Sequence, residues 1–370
     1  MIYKRMAIEK ESPEELGYGN IRYNLAESSV SDFLLQDIKL HLGDLSLCYT
    51  DHKGMPALRE LIIKDQEGLG PEHVLLTVGA ASALFIIASS LLSPEDHLIV
   101  VRPNYATNIE TPKAIGCMIS YIDLDFENNW QPGISSIENA IRSNTKYISI
   151  THPHNPTGVL LSKENLLAII DVAERNSICL LVDETYRELS FSRPYPIAAS
   201  FSRSVISVSS VSKAYGLPGL RMGWLITRDD ALMELFFAAK EQIFITNSVL
   251  DEEVTFQFLS GKDGYSEKIK KHIAVNFSVL ERWIQKEQRL EWIKPGGGVV
   301  CFPRVKAGYK LDTDLFYDLL LKKYGTLVGP GHWFDMPDHY MRIGYAWPTT
   351  ADLEKGLESI SKALDESISK

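Results

Sequence analysis

Between residues 74 and 227 the chain alternates short apolar, β-branched runs with helical stretches, and no other feature restricts its fold so much. The runs Val74–Val78, His97–Val101, Met118–Ile122, Tyr147–Thr151, Ile178–Val182, Val205–Ser209 and Met222–Thr227 read as strands. Helices are expected between them, one starting at Gly79 and one from Ser162, a natural N-cap, to about Arg175. Strands joined by helices at such short intervals predict an α/β fold, with a mostly parallel central sheet covered by helices on both faces. Functional side chains in such a sheet gather beyond the C-terminal ends of the strands.

That is where the unusual residues fall. Thr151 is followed by His152-Pro-His-Asn-Pro-Thr-Gly158, Val182 by Asp183-Glu-Thr-Tyr186, and Ser209 by a small hydroxyl-rich segment around Lys213. A lysine beyond a strand end, flanked by Ser210 and Ser212 and answered by Arg221, suits a covalent imine beside a bound phosphate. The amine forms the imine; the hydroxyls and guanidinium hold the phosphate. Gly79-Ala80-Ala81 opens a helix straight after a strand, so free backbone N–H groups there offer a phosphate cradle. Cys48, Cys117, Cys179 and Cys301 form no C-x-x-C pair, and the histidines show no metal-ligand spacing.

The chain has 370 residues, 45% hydrophobic and 23% charged, which favours two domains over one. A net charge of −10 without basic runs argues against nucleic-acid binding. No signal-peptide core or membrane-length apolar run is present, so a cytoplasmic protein is expected. Gly261–Gly264 is the natural boundary, with a helix from Asp230 to Ile245 before it and a long charged helix from Ser266 to Gln288 after it. Pro295–Pro303, Thr326–Gly331 and Tyr340–Tyr345 then supply turns and strands, and an amphipathic helix from Ala351 to Lys370 closes the chain.

The segment S-x-S-K-A-Y-G-L-P-G-L-R-M-G-W, from Ser210 to Trp224, resembles the lysine segment of class I/II aminotransferases dependent on pyridoxal 5'-phosphate (PLP). N-P-x-G, D-x-x-Y and this segment stand in the family's order, and the resemblance extends over residues from about 23 to 365. It implies the fold-type-I PLP transferase architecture: a large PLP-binding domain (36–262), a small α/β domain built from 1–35 and 263–370, and a homodimer with shared active sites. Lys213 would carry the cofactor as an imine and move the substrate's α-proton. Asp183 would pair with the ring nitrogen, Asn155 and Tyr186 with the phenolic oxygen, and Tyr105 would stack on the ring. Gly79, Ala80, Ala81, Ser210, Ser212 and Arg221 would hold the phosphate, joined by Tyr49 reaching across from the neighbouring subunit. Ser29, Asn155 and Arg342 are the substrate-side residues, with Arg342 on the α-carboxylate. Ser29 stands where the family usually has glycine, and Glu27 just before it would meet a substrate's basic side chain.

The reaction implied is transfer of an amino group from an L-amino acid to a 2-keto acid. The same machinery supports β-elimination (C–S lyase chemistry), decarboxylation or cyclisation. Ser212–Arg221 and Gly297–Arg304 look rather like the corresponding runs of capreomycidine synthase. Domains of this kind also serve as non-catalytic ligand sensors in transcription regulators. Those carry an N-terminal DNA-binding domain, for which this chain has no room before Tyr49.

Overall fold

The computed structural model describes residues 1–369. Seven strands form the central sheet: β1 (Val74–Val78), β2 (His97–Arg102), β3 (Met118–Asp123), β4 (Thr145–Thr151), β5 (Cys179–Asp183), β6 (Val205–Ser210) and β7 (Met222–Thr227). Their order across the sheet is β1-β7-β6-β5-β4-β2-β3. β7 is antiparallel to both its neighbours and every other pairing is parallel, so β7 alone runs against the rest.

Strand periodicity of two divides the sheet's side chains between two hydrophobic clusters. Leu75, Leu98, Val100, Leu181, Ile206 and Val208 face one way, against helices α2 (Gly79–Leu91) and α5 (Asp230–Ile243). Leu76, Ile99, Val101, Leu180, Val182 and Val205 face the other, against α3 (Lys163–Arg175). The Ser162 hydroxyl accepts the Asn165 N–H and caps α3. At Ile197–Ser200 the chain passes close under this second face: Ala198 N–H lies 3.1 and 3.2 Å from the two carboxylate oxygens of Glu184, the residue after β5. Glu184 lines a cavity of about 930 Å³ there, with Arg187, Tyr195, Tyr215 and Trp224.

The two ends of the chain meet. Tyr23–Asn24 pairs in parallel with Thr326–Leu327, and Met341–Gly344 is the middle strand between Val300–Cys301 and Gly329–Pro330. Helix α1 (Pro56–Ile62) packs on α6 (Val249–Ser260), and α7 (Lys262–Lys286) on α8 (Thr350–Ser367).

Three boundaries differ from the sequence reading. Only Gly261 separates α6 from α7, so the long helix starts at Lys262 and takes in Gly264 rather than beginning at Ser266. α5 stops at Ile243 because Ile245 adopts a left-handed backbone, φ 58°. The last helix ends at Ser367, and Ile368–Ser369 pairs instead with Lys310–Leu311; Lys370 lies outside the described residues. Cys117 and Cys301 are buried, Cys179 is partly buried and Cys48 is exposed, all as free thiols. Among the described residues no helix is long and apolar enough to cross a membrane.

Candidate active site

Asp183 ends β5, in register with Thr151 of β4 and Val208 of β6. Its Oδ1 accepts the backbone N–H of Thr185 at 3.1 Å and the Thr185 hydroxyl at 2.6 Å. Burial pushes the carboxyl above its usual range, while Thr185 and then Asn108 pull it back. No cation pairs with it among the described residues, so a buried carboxylate stands here without a countercharge. Behind it a polar network is anchored on Asn104 Oδ1, which accepts the Thr151 hydroxyl at 2.7 Å and Asn108 Nδ2 at 3.3 Å. His154 ties the same region together, with Nε2 2.8 Å from Pro103 O and Nδ1 2.8 Å from the Thr157 hydroxyl. Burial holds that imidazole down at about 4, so it is neutral.

The sequence reading missed Asn104, Asn108, Thr185 and His154. The Asp-x-Thr spacing and the i, i+4 pair of asparagines were the available signals, and both are common in ordinary turns.

Lys213 sits in a one-turn helix, α4 (Val211–Ala214), that continues β6 and is capped by the Ser210 hydroxyl. Its amine is drawn below the usual lysine range, first by burial; Glu27 pulls it up and Arg342 down. A tight junction lies beside it. Ser210 pairs with Gly223 of β7, and a Cβ on Gly223 would lie 2.4 Å from the carbonyl carbon of Gly79 and 2.6 Å from Ala80 N. Gly79 opens α2 with φ 73°, and a Cβ there would lie 2.7 Å from Arg221 Nη2. Only glycine admits this approach. It brings Gly79 and Ala80 at the N-terminus of α2, which runs on through Ala81, together with Ser210 and Arg221, with Ser212 the second residue of α4.

Over these strand ends lies the arm from Leu25 to Phe33. Val30 N–H donates to Lys213 O at 3.1 Å and Phe33 N–H to Gly216 O at 3.0 Å. The Tyr186 hydroxyl donates to Ser28 O at 2.8 Å. Burial raises that phenol to about 12. Arg342, 4% exposed, donates through Nη2 to Ala26 O at 2.7 Å and through Nη1 to Asn155 Oδ1 at 3.2 Å. Its Nε has no partner among the described residues. Ser29 is buried within the arm.

The structure therefore gathers Lys213, Asp183, Asn155, Tyr186, Arg342 and Ser29 at one place. Tyr105, 36% exposed, stands at its edge in the loop after β2, beside Asn104. Tyr49 is not brought in. It is 78% exposed and makes no hydrogen bond within the chain among the described residues.

The family model for aminotransferase class I and II matches residues 14–360. The chain is 31% identical over 299 residues to a capreomycidine synthase of Streptomyces vinaceus, covering 80% of this chain and 75% of that one. It is 27% identical over 329 residues to an aspartate aminotransferase of Pyrococcus horikoshii, covering 86% and 83%. A PLP-dependent aminotransferase from Streptococcus suis superposes with a TM-score of 0.88 at 27% identity, over 100% of both chains.

Proposed function

From the premise that this chain belongs to the class I and II aminotransferase family, we propose that it moves the amino group of an L-amino acid to a 2-keto acid with PLP held at Lys213. The observation that carries this reading is the pair at the ends of β5 and β6: a buried carboxylate without a countercharge, Asp183, and a lysine of lowered basicity, Lys213. The residues present fit the family's cofactor. Asp183 asks for a positive group, the Gly79–Gly223–Arg221 junction is cut for a phosphate, and Arg342 has an N–H left over for an anion.

Asp183 would hold a proton on the cofactor's ring nitrogen, and Asn155 and Tyr186 would bind its ring oxygen. Ser210, Ser212, Arg221 and the backbone N–H groups at Gly79–Ala81 would take the phosphate. Tyr105 would cover the ring. When bound, PLP supplies an electron-withdrawing ring that makes the substrate's α-proton acidic. Arg342 would grip the α-carboxylate with its planar fork, beside Ser29 and Asn155. The Lys213 amine, desolvated and so less basic, would take the α-proton and return it elsewhere. Tyr49 projects from the surface and would serve the phosphate of a second copy, so the working form would be a homodimer. The large domain would comprise 36–262 and the small domain 1–35 with 263–370. Four unpaired cysteines favour a reducing compartment, and so the cytoplasm.

The test is a panel of amino acids added to purified PLP-loaded protein, following the cofactor's absorbance while measuring keto acid and ammonia separately. Keto acid with aminated cofactor is expected. Release of ammonia, or a product cyclised with retention of its nitrogen, would transfer the reading to related chemistry, which the 31% identity to a capreomycidine synthase keeps in view.

A further inference from the structure

We propose that Glu27 selects amino acids with a positively charged side chain, an ammonium or guanidinium, and turns away aspartate and glutamate. This rests on the reading above, in which Lys213 and Arg342 face the substrate.

The backbone pins Glu27 between two residues of the site. Ala26 O accepts Arg342 and Ser28 O accepts Tyr186. The Glu27 carbonyl itself lies hard against Gly344, where a Cβ would come within 1.9 Å of it. The side chain thus leaves the arm between the residues that bond Arg342 and Tyr186. Its carboxylate accepts only the Tyr18 hydroxyl, at 2.9 Å, and no cation lies within ion-pairing distance among the described residues. Its charge acts on Lys213 and on Arg342. Glu14 and Asp32 add to the negative field at Lys213. Asp32 accepts the Trp347 indole N–H at 3.0 Å, and Trp347 stacks on Tyr18 with centroids 6.2 Å apart. The outer wall is therefore two carboxylates, each fixed to one ring of an aromatic pair, a surface that suits a cation.

A second observation comes from the opposite charge. Arg342 is 4% exposed and, among the described residues, has no carboxylate partner and leaves Nε unpaired. The site thus lacks an anion at Arg342 and a cation at Glu27. An amino acid with a positive side chain supplies both, its α-carboxylate to the first and its side chain to the second. A dicarboxylic amino acid would set its second carboxylate against Glu27, a like-charge contact that costs affinity.

Absorbance titrations of the PLP-loaded protein with L-arginine, L-lysine, L-ornithine, norleucine and L-glutamate test this. At least one cationic amino acid should half-saturate the change at a concentration about ten- to a hundred-fold below norleucine, as expected for one charge-assisted contact, and glutamate should bind worse than norleucine. Glu27→Gln should abolish that preference, weakening the cationic amino acids far more than norleucine, and Glu27→Arg should favour glutamate. Tyr18→Phe, a change at the surface, should lower the preference less than Glu27→Gln does. Equal binding of norleucine and the cationic amino acids overturns the proposal. So does a Glu27→Gln protein in which every amino acid weakens alike, because Glu27 would then act only through Arg342. No response to any amino acid would defeat the functional reading itself and this inference with it.

Discussion

Asp183 and Lys213 stand at the ends of adjacent parallel strands, whereas Ser29 and Arg342 reach the same place from opposite ends of the chain. The first pair is positioned by a continuous hydrogen-bonded ladder packed with aliphatic side chains on both faces. The second is held to the strand ends by single bonds such as Val30 to Lys213, Tyr186 to Ser28 and Arg342 to Asn155. Each such bond contributes about 1 kcal/mol net, while Leu25, Ala26 and Val30 of the arm are buried in the core, so the arm is held by packing and a few bonds rather than by a ladder. The residues proposed for the chemistry sit on the ladder, and those proposed to meet the substrate's outer parts sit outside it.

Breaking the sheet-borne half should have the largest effect. Lys213→Ala should lower turnover by at least about a thousand-fold, and borohydride reduction followed by peptide mapping should no longer fix a pyridoxyl group at that segment. A pyridoxyl label on another lysine of the wild-type protein would overturn the assignment. Asp183→Asn should keep the fold and bind PLP while turnover falls about a hundred- to ten-thousand-fold, since an amide cannot hold the ring nitrogen's proton. Rates near wild type would make Asp183 structural.

Tyr49 tests a third source of residues, a second copy of the chain. Tyr49→Phe should weaken PLP retention by about 1.5–3 kcal/mol, roughly ten- to a hundred-fold. Mixed dimers of Tyr49→Ala and Lys213→Ala chains should regain activity at one intact composite site. No recovery after proven exchange of chains would place Tyr49 outside its neighbour's site. The smallest effect belongs to the arm. Gly216 has φ 64°, and a Cβ there would lie 2.3 Å from Ser31 O. Gly216→Ala should cost about 1–3 kcal/mol, read as a lower melting temperature and faster proteolysis near residue 31. A cost as large as that of a core deletion would mean the arm is as firmly built as the sheet.

What could be read from the sequence follows the same division. The strands, the capping by Ser162 and the placing of Asn155, Asp183 and Lys213 after them were legible, because a buried strand has a local signature and its C-terminal end follows from it. The family resemblance supplied Arg342 and the arm, which no local pattern marks. The polar network behind Asp183 was not legible: Asn104, Asn108 and Thr151 come together only when β2 and β4 lie side by side. Tyr49 illustrates the opposite limit, for in the single chain it is mostly exposed and makes no hydrogen bond among the described residues.

Glu184, one residue beyond Asp183 and turned toward the cavity, carries a consequence for the protein's proton inventory. Burial lifts its carboxyl from 4.5 to about 7, with Arg187 opposing and the Asp183 charge adding to the rise. The folded chain therefore holds a proton that the unfolded chain has released, over a window from about pH 4.5 to about pH 7. Folding within that window must take up this proton from the buffer, and the stability Glu184 confers declines as pH rises through the window, by up to about 3 kcal/mol across it. Unfolding heats measured near pH 6 in two buffers of different ionisation enthalpy should differ accordingly. Glu184→Gln should shrink that difference by about one proton's worth of the gap between the two buffers' ionisation enthalpies.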